Sequence, residues 1–172
     1  MVAIAGSVGV GNAQTNIVLP DTAKTSTLTA AVAEQANLSL PATVTIDVND
    51  VNAESARPNQ TVTISNIVLA SATKQLRLSI RANAPTFTKP PASSVTWNAS
   101  QLSWTSTQAW TNAVYGEGTL SDSAFNVVAT CNPGVSSCST TRLKFILEPN
   151  ASIRRSGAYT IGITWKVESI GT

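Results

Sequence analysis

Few residue types in this chain are suited to chemistry, and their spacing limits what they can do. None of the 172 residues is histidine. That removes His-dependent triads, the usual general base near neutral pH, and most zinc and copper sites. The nine carboxylates are Asp21, Glu34, Asp47, Asp50, Glu54, Glu117, Asp122, Glu148 and Glu168. Glu117 and Asp122 flank a Gly-rich loop and invite comparison with a glycosidase acid pair, but nothing in the sequence makes them converge. There is no Gly-x-Ser-x-Gly elbow or Walker loop. The chain is therefore expected to be no enzyme and to carry no cofactor.

Three constellations remain. Asp47, Asp50, Asn52 and Glu54 form the densest run of oxygen ligands, the type calcium takes, although the spacing is not that of an EF-hand and a solvated strand end reads equally well. Trp97, Trp104 and Trp110, with Tyr115 behind them, lie among Ser, Thr, Asn and Gln, and exposed rings in such a setting can stack sugars. Trp97 and Trp104 also fall in short strand-like runs that would bury them, leaving Trp110 as the ring expected at the surface. Cys131 and Cys138 are the only cysteines, separated by six residues that include the turn-forming Asn132-Pro133-Gly134. This spacing suits a disulfide stapling a loop and an oxidising compartment; it fits neither a redox CxxC pair nor a four-cysteine zinc site.

The elements that must carry these residues alternate with period two. Tyr159, Ile161, Ile163, Trp165 and Val167 oppose Thr160, Gly162, Thr164, Lys166 and Glu168. Leu143, Phe145 and Leu147 form a second such set, Leu76, Leu78, Ile80 and Ala82 a third, and Val44, Ile46 and Val48 a fourth. From Thr61 to Leu69 the phase slips at Asn66, which predicts a bulge. Ser26 to Glu34 reads as a strand through Leu28, Ala30 and Val32, despite its alanines. No stretch holds helical period for three turns. Turn clusters at regular spacing then give eight or nine strands, each with one apolar face. The fold class expected is all-β, a two-sheet antiparallel β-sandwich of Ig-like or jelly-roll type.

Composition agrees. Hydrophobic residues make up 42% of the chain, enough for one domain with its own core. Charged residues are only 12%, and 43 Ser and Thr take their place. A net charge of +2 is too small for a nucleic-acid partner, and no stretch reaches the ~18 apolar residues of a membrane span. Residues 1–13 can be read in three ways. With Gly11 and Ala13 before Gln14 they resemble the end of a signal peptide. Val2, Ile4, Gly6, Val8 and Val10 alternate as a strand that could complete a neighbouring subunit's sheet. They also suit an ordinary first strand. Residues 14–172 are expected to form the single sandwich domain.

The Val2–Val10 alternation with Gly6, the Thr-rich strands from Thr25 to Leu69, the small Cys131–Cys138 loop and a last strand near the C-terminus resemble secreted bacterial β-sandwich proteins of the cell surface, including fimbrial subunits and coats. The chain departs from chaperone–usher pilins in its disulfide, which in them spans a long loop near the N-terminus and here closes a short, late hairpin. The resemblance implies an extracellular structural or adhesive subunit with no active site, whose partners are copies of itself or other surface subunits. The edge candidates Ser26–Ala33 and Val2–Val10 carry no gatekeeper charge, which also favours self-association. The alternative is a secreted carbohydrate-binding module using Trp97, Trp104, Trp110 and Tyr115.

Overall fold

In the computed structural model, residues 27–106 and 110–171 are described, the side chains of Arg57 and Pro58 aside. Two compact units are distinguished, Met1–Ala31 and Val32–Thr172. Of the first, only residues 27–31 are described; they are exposed and form no strand. The donor-type or signal-like segment 1–13 lies outside the described residues.

The second unit is an all-β sandwich. Nine strands are described: β1 (Gln35–Ser39), β2 (Ser55–Val68), β3 (Gln75–Ala82), β4 (Leu102–Ser106), β5 (Ala113–Tyr115), β6 (Gly118–Thr119), β7 (Asn126–Cys131), β8 (Cys138–Leu147) and β9 (Ile163–Ile170). They form a five-stranded sheet, β1-β2-β8-β4-β6, and a four-stranded sheet, β5-β7-β3-β9, antiparallel throughout. Period-two alternation sets the faces. Leu76, Leu78, Ile80 and Ala82 of β3 and Val128 and Ala129 of β7 meet Val62 and Ile64 of β2, Leu102 and Trp104 of β4, and Leu143, Phe145 and Leu147 of β8 in one buried core. The slip at Asn66 is a bulge: the β1–β2 register shifts there and Asn66 has φ 52°, which a short amide side chain tolerates.

Two expected strands are corrected. Ser26–Glu34 forms no strand over its described residues, and its apolar side chains lie in water, Leu28 at 96% exposure. Without a ladder partner among the described residues or a face to bury, its alternation has nothing to hold it. The first strand among the described residues is Gln35–Ser39. Val44, Ile46 and Val48 alternate as expected, half-buried against exposed Thr43, Thr45 and Asp47, but they belong to no ladder. Pro41, just past the end of β1, has no N–H to continue the pairing.

Candidate functional site

Cys131 and Cys138 are joined, with their Cα atoms 5.7 Å apart, and both are buried. They end β7 and begin β8, which belong to different sheets. The disulfide therefore closes an arch between the layers and not the hairpin expected, because the Asn132–Ser137 turn carries the chain across the core.

The tryptophans are core residues. Trp97, Trp104 and Trp110 are 3%, 2% and 4% exposed, and only Tyr115, at the end of β5, is partly open at 37%. Trp110, expected at the surface, turns inward and donates its indole N–H to Ser106 Oγ at 3.1 Å. The polar Ser-Thr-Gln setting concealed this, since Ser106 is itself buried and serves as the partner. No stacking platform is assembled from these four rings.

Of the oxygen cluster, Asp50 uses one carboxylate oxygen to accept from the Asn52 backbone N–H and side-chain amide, both at 2.9 Å, closing a turn. These two bonds hold its carboxyl below the ordinary carboxylate value. Among the described residues, Asp47, Asp50 and Glu54 do not converge with one another or with other acids into a group able to hold a metal ion.

A concavity lies elsewhere. A cleft of about 1160 Å³ opens into the sandwich interior. Its floor is Leu102, Phe145, Leu147, Ile163 and Trp165, and its walls are residues 40–48 on one side and 153–162 on the other. The second wall is braced by aromatic packing. Trp97 meets Tyr159 edge-on at 5.0 Å and Phe87 at 6.4 Å, and its indole N–H donates to the Glu148 carbonyl at 2.9 Å. The Tyr159 hydroxyl bonds Ser93 Oγ and donates to the Arg155 carbonyl, each at 3.0 Å, pinning the Arg154–Arg155 turn at the cleft's mouth. The first wall is tied by Asn150 N–H to the Val51 carbonyl at 2.8 Å.

The cleft's position follows from how the sheets end. On one flank the edge strands are short, β5 with three residues and β6 with two, and they are stitched to their neighbours: Gly116 N–H donates to Val128 O and Leu120 N–H to Leu102 O. On the other flank stand β1 and the eight-residue β9, and the outer edge of β9 pairs with no strand among the described residues. Glu34 fastens the far end of this flank, accepting from Ala70 N–H at 2.8 Å and Lys74 Nζ at 2.9 Å. Beyond Ser39 no strand among the described residues covers the interior, and the apolar floor meets the 40–48 segment, which joins no ladder there. The sequence signalled this site only indirectly, as two alternating stretches, Val44–Val48 and Tyr159–Val167, that promise more pairing than the chain supplies.

Among the described residues, no helix is long and apolar enough to cross a membrane. Comparison with protein-family models, with curated proteins and with solved structures finds no match for this chain.

Proposed function

We propose that the protein is a non-enzymatic structural subunit of an exported surface layer or filament, joined to copies of itself by strand addition at the β9 flank. The observation carrying this reading is the one-sided opening: an eight-residue edge unpaired among the described residues beside an apolar cleft, opposite a flank whose edges are short and stitched. A long unpaired edge is a template for another chain's backbone, and soluble proteins normally blunt it. Main-chain bonds to such an edge give affinity, and pockets for alternate side chains give specificity.

The chain offers an occupant in its own sequence. Val2, Ile4, Val8 and Val10, with Gly6 between, put one apolar face on a nine-residue stretch. At about 3.3 Å per residue it is close to the length of β9. Supplied by a neighbouring copy, this stretch would bury its face on Phe145, Leu147, Ile163 and Trp165. A buried inter-sheet disulfide suits folding in an oxidising compartment, which supports the exported setting. The sugar-binding alternative loses the rings it relied on.

The test is the mass of the full chain in solution, by light scattering after gel filtration, beside a variant lacking residues 1–13. The full chain should associate, the shortened one should be monomeric, and a synthetic Val2–Val10 peptide should bind the shortened chain one to one. A full chain that stays monomeric at high concentration sinks the reading. So does equal assembly without residues 1–13, or a native protein whose first residue is Gln14.

A further inference from the structure

The outer face of the four-stranded sheet carries a second feature, separate from the cleft. Three cations project from it, Arg77 and Arg81 of β3 and Lys166 of β9, and two of them, Arg77 and Lys166, share one carboxylate, Glu168. Glu168 pairs with Lys166 and, at 3.8 Å, with Arg77. Arg81 has no ion-pair partner among the described residues. Its guanidinium lies 4.8 Å from the centre of the Phe125 ring, and Lys166 Nζ lies 5.7 Å from the same ring. Two like charges are thus gathered on one aromatic ring, whose face offsets part of their repulsion and fixes where they stand. The Nε atoms of Arg77 and Arg81 are buried with no protein hydrogen-bond partner among the described residues. The Arg81 guanidinium, without a counter-ion among the described residues, stands beside the Lys166 ammonium on one ring, with Arg77 along the same strand, and cations held in place in advance make a surface prepared for oxyanions.

We infer that this face binds an acidic polysaccharide, a polymer bearing repeated carboxylates. Spacing favours a polymer over a small anion: Arg77 and Arg81 stand four residues apart on one strand, about 13 Å, beyond the span of a single carboxylate. A second copy of this chain is a poorer source, because in its acidic stretch Asp47 shares the cleft with Arg154 and Arg155 and Asp50 is engaged by Asn52. Exposed Val127, at 42%, and Val114, at 70%, lie on the same sheet and give a sugar chain apolar contact beside the charges.

The experiment is titration of the full chain with polygalacturonate by calorimetry, at low and at high salt. The wild type should bind, more weakly as salt rises. Arg81→Gln with Lys166→Gln should lower affinity about tenfold or more. Arg142→Gln with Lys144→Gln, a pair of cations on β8 of the opposite sheet and away from the site, should leave it within about twofold. Near-UV circular dichroism checks the fold, and if the first pair does not fold, Arg77→Gln alone should still cost about threefold. Absence of binding, equal losses in both pairs, or competition by monomeric galacturonate or phosphate as effective as the polymer would each overturn the inference. The chain lacking residues 1–13 should bind as well as the full chain, so this proposal and strand addition stand or fall separately.

Discussion

At Gly118 the missing side chain makes room for Trp104. A Cβ there would stand 2.9 Å from both Cζ2 and Cη2 of the indole, which is 2% exposed and locked among core residues. The ring has nowhere to retreat, so Gly118→Ala should destabilise the fold by about 1–3 kcal/mol, read as a lower urea midpoint with an unchanged slope. Individual side chains were the least legible part of the sequence. Trp104 and Trp97 sit in alternating runs and their burial could be read from phase. Trp110 could not, because its partner Ser106 looks like surface until the strand before it is known to face inward. The cations on Phe125 were equally hidden: Arg81 and Lys166 are 85 positions apart in the chain, and only the β3–β9 register brings them to one ring.

Individual elements were more legible, with one recurrent error. Where alternating residues found a partner, as in Leu76–Ala82 and Leu143–Leu147, pattern and strand agree. Where they did not, at 27–34 and 43–48, the pattern survives without the ladder, since alternation reports a face and not a neighbour. The connection between β7 and β8 shows the same gap. Turn chemistry at Asn132-Pro133-Gly134 is common to hairpins and arches, and nothing local says that its two strands lie in different sheets. The arch gives the disulfide its role. Its closed loop of about eight residues predicts a loss of about 2–3 kcal/mol for the Cys131→Ser, Cys138→Ser variant, measured by urea unfolding against the oxidised protein.

For the molecule as a whole, the sandwich was legible and the distribution of its edges was not. Strand count and amphipathic faces follow from composition and phase, but which strands end a sheet depends on pairings over long separations. The same holds for the ion pairs that join elements across the fold. Glu34 is held below the ordinary carboxylate value first by its bond with Lys74, forty positions away, and then by Ala70 N–H, while Glu168 is held low first by Lys166 on its own strand and also by Arg77 of β3. Lowered folded-state values mean that these contributions are present above the unfolded value of about 4.3 and vanish as pH falls through the folded ones. Thermal melts from pH 7 to 3 should hold steady and then drop below about pH 4. Glu34→Gln should lower the plateau slightly and soften the drop, both groups being exposed; an unchanged acid limb in that variant would remove Glu34 from the account.

The position of the disulfide along β8 has a mechanical meaning. Cys138 begins that strand, while Phe145 and Leu147, near its other end, floor the cleft. The two layers are therefore covalently riveted at one end and held at the other by packing and hydrogen bonds, like the jaws of a peg with its spring at Cys131–Cys138. A guest entering between them would part the cleft ends by a small rotation about the rivet, disturbing the packing least near the spring. When the guest leaves, the layers need no search for each other, because they were never separated.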